Sequence, residues 1–319
     1  MELYKKSDRV AKGTFDILRD ETGAVALLVV LWVIVLLTSI VGEFSYSMRT
    51  EINITRNFKE EAEAYHLAQA GFEKAKMEIL QTASQYTYLN EDGILVFNIK
   101  NEAPQRSGNL GKGSFSYNIM DEESKLNINT ASVQQLKYLF LKSGVDITEV
   151  DKIVDSIIDW RDENNLHMVN GAEEDYYRSL RYPYSCKDGP IDAIDELLLV
   201  KGMTGEIFYG SKDADGEQKY KGVVQYLTVN GFNTININTS SDVVLEAFFG
   251  VVKAADIINR RKAGPITGPV AGGRISSDFF AITSTGVSAG GAVKRTIKTI
   301  VQKKGNSLEA VYWDDNFFG

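Results

Sequence analysis

The chain has 319 residues, enough for a sizeable core and for about two domains. Its 43 acidic residues outnumber the 35 basic ones, a net charge of −8, so counterion release from a nucleic acid backbone works against binding. One cysteine, Cys186, excludes an intramolecular disulfide, and two histidines, His66 and His167, offer almost nothing for a zinc site or a Cys/His catalytic pair.

Residues 1–23 form a leader in which Lys5, Lys6, Arg9, Lys12 and Arg19 balance Glu2, Asp8, Asp16, Asp20 and Glu21. From Ala24 to Val41 the chain then runs for about 18 residues without a charge, the lower limit for a helix that crosses a hydrocarbon core. The basic residues ahead of this run predict a cytoplasmic leader, with everything after Gly42 exported. A cleaved secretory signal is disfavoured, since no good small-x-small site follows Val41. Beyond it, Phe44, Met48, Ile52, Phe58, Ala62, Tyr65, Ala68, Phe72, Ala75 and Ile79 recur mainly at spacings of three and four, and the first proline is Pro104. The spacing predicts one helix from Ala24 to about Gln81, roughly 85 Å long and contained in a segment 24–85. Its first part (24–41) is apolar all round and its second part amphipathic. Taken alone, it reads as a single-pass anchor with a stalk.

Two strands are predicted next, "GILVFNIK" (93–100) and "GSFSYNIM" (113–120), joined by a Gly/Pro/Asn-rich loop over 101–112. Three more lie at the far end: "FFAITSTGVS" (279–288), "AVKRTIKTIVQKK" (292–304) and "SLEAVYWDD" (307–315). The segments 86–120 and 271–319 are thus expected to build one antiparallel sheet, with the chain between them, 121–270, inserted as helices.

That insertion contains an internal repeat, "LNINTASVQQL" (126–136) and "ININTSSDVVL" (235–245), followed by "VDKIVDSIIDWRD" and "AADIINRRKAG". Each unit reads as a short strand, a capped helix, a tight link and a second helix, with Thr130 and Thr239 as the expected caps. The pattern resembles helix-hairpin-helix or sterile-alpha-motif-like (SAM-like) folds. DNA binding by such hairpins relies on a Gly-x-Gly link whose bare amides approach phosphate. The links here, "KSGVDI" and "FFGVVK", have one glycine each and no basic surplus, so a packing unit is the preferred reading.

The leader ending in Gly23 before "AVALLVVLW", with "EAYHLAQAGFEKA" further along, resembles the type IV prepilin class. In that class a membrane-embedded prepilin peptidase cuts after a glycine and methylates the new N-terminus. The resemblance implies cleavage after Gly23, with Ala24 as the first mature residue; a cut after Ala24 is the alternative. An ordinary pilin has Glu at mature position five, able to pair with a neighbour's α-ammonium. Here that position is Leu28.

The order "LNINTAS…IVDSIIDWRDENN…NGAEEDYYRSLRYPYSCKDGPIDAIDELLLVKGMTGEIFYG…LTVNGFNTININTSS" further resembles the general secretion pathway protein K family, the large minor pseudopilins of type II secretion. This implies an α+β fold: a type IV pilin-like long N-terminal helix and antiparallel sheet, interrupted by a large helical insertion with two helix-hairpin-helix or SAM-like repeats. It implies a non-enzymatic assembly role at the tip of a pseudopilus that exports folded proteins from the periplasm. The expected partners are the I- and J-type minor pseudopilins, then the H-type and the major G-type, the prepilin peptidase and the inner-membrane assembly platform. The expected location is the bacterial inner membrane, single-pass, with the C-terminal bulk in the periplasm. A minor pilin of a true type IV pilus and a membrane-anchored DNA-binding protein are the alternatives.

"DWRDENNLHMVNGAEEDYY" gathers carboxylates on one loop, an oxygen-only donor set that suits either Ca²⁺ or a solvated acidic surface. The family resemblance favours Ca²⁺ and implies Asp162, Asn164, Glu173 and Asp175 as ligands, with Asp159, Glu163 and Glu174 as substitutes. The family often has Asp where Asn164 stands. A second candidate, Asp213, Asp215 and Glu217 in "KDADGEQ", lacks the distal bidentate Glu of a calcium loop and reads as a turn. Asp159 and Asp162 are on paper a general acid/base pair, yet no nucleophile, electrophile or phosphate-cradling loop accompanies them, so no catalytic residue is expected.

Overall fold

The computed structural model describes residues 21–81, 86–97, 104–213 and 215–315. The leader up to residue 20 therefore lies outside the described residues. Helix α1 spans Glu21–Leu80, close to the predicted limits. The chain divides into two units at Ala62/Glu63, and each is described by itself.

In the first unit the apolar window of α1 has a mean hydropathy of 3.0, and none of it is covered by protein. Leu28, Trp32 and Val41 are all exposed. The isolated helix stays satisfied internally: the Thr38 hydroxyl donates back to the Ile34 carbonyl at 2.9 Å. In the second unit Ala64, Leu67, Ala68, Phe72, Ala75 and Ile79 are buried, one stripe at three- and four-residue steps. Lys303 Nζ donates to the Ile79 carbonyl at 3.0 Å and satisfies one of the acceptors left at the end of α1.

Strands β1 (Tyr88–Leu89) and β2 (Leu95–Val96) pair antiparallel in a hairpin of their own. The predicted strand over 93–100 is thereby corrected within the described residues; residues 98–100 lie outside them. Asn90 is the cause: its Oδ1 accepts from the Ile94 amide at 2.8 Å, and Gly93 takes φ +73°, folding the chain back at once. The predicted loop 101–112 is also corrected, because β3 (Ser107–Leu110) pairs with β4 (Gly113–Asp121) across a turn in which Gly111 takes φ +64°. After β4 a 3₁₀ turn, Glu122–Ser124, leads into the insertion.

The insertion begins with β5 (Leu126–Asn127), α2 (Val133–Lys142) and α3 (Ile147–Arg161), then α4 (Glu174–Arg178), a 3₁₀ helix Ile194–Leu199, α5 (Gly205–Tyr209) and the hairpin β6 (Ser211–Lys212) with β7 (Gln218–Tyr220). Strand β8 (Leu227–Thr228) returns to pair parallel with β5. The second repeat is β9 (Ile235–Asn236), α6 (Asp242–Phe249) and α7 (Val251–Lys262), with β10 (Gly273–Arg274) pairing parallel to β9. Strands β11 (Phe279–Val287), β12 (Lys294–Lys304) and β13 (Ser307–Asp314) complete an antiparallel sheet of order β13-β12-β11-β4-β3. As expected, β4 pairs with β11 across the whole insertion, with Ile119 opposite Ile282. Phe115, Ile119, Phe280, Ile282 and Val301 bury one face of this sheet against Leu67, Phe72, Ala75 and Ile79 of α1.

The repeat is structural to the level of single bonds. Asn127 and Asn236 fold the turn by accepting from the amides of Asn129 and Asn238 at 2.9 and 3.0 Å. Asn129 then clamps both main-chain groups of Ile191, and Asn238 both of Ile266, through paired bonds of 2.8–2.9 Å. At the end of the second helix Arg161 reaches the carbonyls of Ile128 and Ala131, and Arg261 those of Ile237 and Ser240. The expected caps are corrected: Ser132 and Ser241 cap α2 and α6, accepting from Gln135 and Val244. The asparagine turn takes up Thr130 with Ala131, and Thr239 with Ser240, so the helices start later. The Thr239 hydroxyl instead donates to Asp121 at 2.6 Å.

Candidate functional site

The carboxylate-rich segment leaves α3 and doubles back on it. Asp155 and Asp159 lie one turn apart, both buried. Asn170 donates its backbone amide and its side-chain amide to Asp155 at 3.1 and 3.0 Å, and the Met168 amide donates to Asp159 at 3.0 Å. Gly171 follows because nothing larger fits: a Cβ there would stand 1.8 Å from Asp159 Oδ2. Burial raises the Asp159 carboxyl above the usual carboxylate range.

Glu173 precedes α4 and is only 2% exposed, and neither of its carboxylate oxygens has a hydrogen-bond partner among the described residues. Burial first, then the charges of Asp159, Asp162 and Asp188, push its pKa up to about 7. Behind it the rings of Trp160 and Tyr177 meet edge to face at 5.0 Å. Glu174 ties the next loop in place, accepting from Arg178 Nε and from the Cys186 amide, each at 2.6 Å. One ligand atom each of Glu173, Cys186 and Asp188 then lies within 4.8 Å of the others. Asp188 takes φ +48°, and its Oδ1 is buried without a partner. Burial, then the hydrogen bond to Asp188, push the Cys186 thiol up to about 12.

The implied ligands are thus distributed unevenly. Glu173 is central, and Asp162 caps the end of α3 with Oδ1 accepting from the Asn164 amide at 3.1 Å and Nδ2 at 2.8 Å. Asn164 and Glu163 are exposed. Asp175 is turned outward, its side chain 74% exposed and 3.0 Å from His167 Nε2. Asp188 went unread in the sequence, because "CKDGP" signals only a turn; the fold alone brings it to Glu173. In "KDADGEQ", Asp213 accepts from the amides of Asp215 and Glu217 at 3.0 and 2.9 Å and closes the β6–β7 turn. At the other end of the chain, Gly23, Ala24 and Leu28 are exposed on α1.

What the site can do follows from its charges. Two carboxylates and a thiol lie close together, and among the described residues no donor satisfies either Glu173 oxygen or Asp188 Oδ1. Leaving them so is costly, and a divalent cation removes both the repulsion and the desolvation penalty.

Comparison with known proteins places the matched region. Residues 97–210 match the family model for type II secretion system (T2SS), protein K. The chain is 25% identical over 209 residues to type II secretion system protein K of Pectobacterium carotovorum subsp. carotovorum, covering 60% of this chain and 61% of that protein. It is 23% identical over 205 residues to the putative type II secretion system protein K of Escherichia coli strain K12, with the same coverage. The chain thus spans about three fifths of the length of these relatives. Among solved structures, a chain of the GspK-GspI-GspJ complex from the enterotoxigenic Escherichia coli type 2 secretion system superposes with a TM-score of 0.61 at 18% identity, covering 82% of this chain and 98% of that one.

Proposed function

We propose, from its similarity to type II secretion system protein K, that the chain is a minor pseudopilin, a non-enzymatic subunit that assembles with I- and J-type pseudopilins at the tip of a pseudopilus. The observation that carries this reading is the continuity of α1. One helix offers a bare apolar stretch for a membrane or a fibre core, and then supplies the buried stripe that closes a pilin-like sheet. The first part anchors the chain in the inner membrane, and the later part carries the head in the periplasm. Leu28 gives no carboxylate to a following subunit's N-terminus, in keeping with a subunit that ends the stack. The two helix-pair units are read as helix-hairpin-helix or SAM-like packing modules, since their links turn on the single glycines Gly144 and Gly250 and their Asn–Ile clamps are internal.

The test is mass spectrometry of the N-terminus of the protein taken from membranes. The expected result is a methylated Ala24 after a cut at Gly23; an intact Met1, or a cut beyond Val41, overturns the reading. Co-purification with I- and J-type pseudopilins rather than with pilus subunits separates the secretion assignment from that of a type IV pilus.

The residues present also fit the calcium that the family resemblance implies. Glu173 would hold it with the other implied ligands Asp162, Asn164 and Asp175, once their side chains turn toward it, and with Asp188, which already lies near Glu173. The ion's role is structural, to neutralise carboxylates gathered between α3 and α4. Calorimetric titration of the full chain with Ca²⁺ should show binding that is lost in Glu173→Gln combined with Asp162→Ala; unchanged binding rejects this ligand set.

A further inference from the structure

The oxygen-only reading leaves one atom without a role, the sulfur of Cys186. We propose that Glu173, Cys186 and Asp188 form a sulfur-bearing coordination group that takes a thiophilic divalent cation of the zinc class. The inference shares Glu173 and Asp188 with the calcium reading but does not depend on it.

Three observations carry the proposal. The three ligand atoms already lie within 4.8 Å of one another. Around a tetrahedral zinc the same atoms stand about 3.4–3.6 Å apart, from metal–sulfur and metal–oxygen bonds of about 2.3 and 2.1 Å, so side-chain adjustment of about 1 Å closes the group. Among the described residues, both Glu173 oxygens and Asp188 Oδ1 are buried without hydrogen-bond partners. Cys186 is itself buried, and its backbone is fixed by the 2.6 Å bond from its amide to Glu174, so the sulfur is held in place.

Ligand softness decides which cation fits. A thiolate contributes nothing to a calcium site, which selects hard oxygen donors, whereas it raises affinity for zinc. When the sulfur–metal bond forms, the Cys186 S–H bond breaks and its proton passes to solvent; no oxidant or reductant is involved. Three protein ligands leave one position of the tetrahedron for water. Since Glu173 and Asp188 belong to both donor sets, the two cations compete for them.

The test uses the full chain in detergent micelles, titrated separately with Co²⁺, Zn²⁺ and Ca²⁺. Co²⁺ should produce a near-ultraviolet sulfur-to-cobalt charge-transfer band that Zn²⁺ abolishes stoichiometrically. In Cys186→Ser that band should vanish and Zn²⁺ affinity fall at least about tenfold, while Ca²⁺ affinity stays within about twofold. Asp188→Asn should keep the band but shift it to higher Co²⁺ concentration; it remains informative if the serine variant does not fold. Absence of the band in the unaltered protein, or equal Zn²⁺ affinity with and without the Cys186 sulfur, overturns the proposal. A cobalt band in a chain that ignores Ca²⁺ sinks the calcium reading and leaves this one standing; Ca²⁺ binding without the band does the reverse.

Discussion

The closest approach of α1 to the sheet is main chain against main chain, and Gly286 makes it possible. A Cβ at this position of β11 would stand 2.0 Å from the Ala64 carbonyl oxygen, 2.5 Å from the Ala68 amide nitrogen and 2.8 Å from Leu67 Cβ. The substitution Gly286→Ala must therefore drive helix and strand apart by more than about 1 Å, because neither backbone can swing aside as a flexible side chain would. Overpacking in adaptable cores costs about 1–3 kcal/mol, and this site belongs at the upper end. Separation also breaks the 2.7 Å bond from the Ser284 hydroxyl to the Ala68 carbonyl, worth about 1 kcal/mol more. The expected loss is about 4 kcal/mol, or roughly 8–16 °C in Tm for a unit of this size. Near-ultraviolet circular dichroism of the full chain in detergent, followed on heating, reads it directly. Gly268→Ala is the control, since nothing lies within 4 Å of its Cβ position. A Gly286→Ala protein that melts within about 3 °C of the parent would refute the argument that α1 is seated by backbone contact.

Three further outcomes are expected. Glu123 is 1% exposed and bonded to Arg274 at 2.6 Å, and burial above all lifts its pKa to about 7. The folded state therefore holds this proton more tightly than the unfolded chain. The stability it contributes, on the order of 3 kcal/mol, is present below about pH 4.5 and lost as the pH rises through 7. Urea midpoints at pH 5 and pH 8 should show that slope reduced in Glu123→Gln, and an identical slope in both proteins contradicts it. Asn238→Ala strips two bonds from the main chain of buried Ile266 and should cost about 3 kcal/mol by denaturant titration, with under about 1 kcal/mol counting against the clamp. Ser132→Ala should cost about 1 kcal/mol and Thr130→Ala close to nothing, because the serine caps α2 while the exposed threonine makes only a 3.5 Å contact; the reverse order restores the threonine cap.

The long helix was readable in the sequence because two signals overlap in it: an uncharged run, and then a stripe at helical spacing with no proline to stop it. The last three strands were readable for the same reason, alternation bounded by glycine turns. The misread strand at 93–100 shows where local pattern gives out. "GILVFNIK" has the apolar content of a sheet strand, but Asn90 and Gly93 turn it back onto Tyr88 and Leu89 before it can reach the sheet. The misplaced caps have a related cause. Threonine is a good capping residue, yet Asn127 and Asn236 had already claimed the turn through their own side chains. At the candidate site, the sequence-adjacent carboxylates could be gathered by eye, whereas Cys186 and Asp188 come to Glu173 through tertiary contacts, among them the Glu174 bond to the Cys186 amide and the Arg178 bond to Ser185. Nothing local in "SCKDGP" announces that partner.

The same asparagine turns explain how a large insertion can ride on a small sheet without becoming a loose appendage. Strand β4 ends in Asp121, which is 4% exposed and raised above the carboxylate range by burial. Its Oδ2 accepts from Asn236 at 2.9 Å, from Thr239 at 2.6 Å and from Ser277 at 2.6 Å, while Oδ1 accepts from the Glu123 amide at 2.8 Å. One carboxylate thus joins the end of the sheet, the opening turn of the second repeat and the segment that re-enters the sheet at β11. The first repeat is joined next to it, where Glu122 accepts from the Thr228 hydroxyl at 2.7 Å and β5 pairs with β8. A polar junction of this kind is stabilising only when every member is satisfied, and it tolerates few geometries. That intolerance is what fixes the insertion to the end of the sheet. Any displacement of the insertion is then transmitted to the sheet, and through Gly286 and Ser284 to the part of α1 that packs on it.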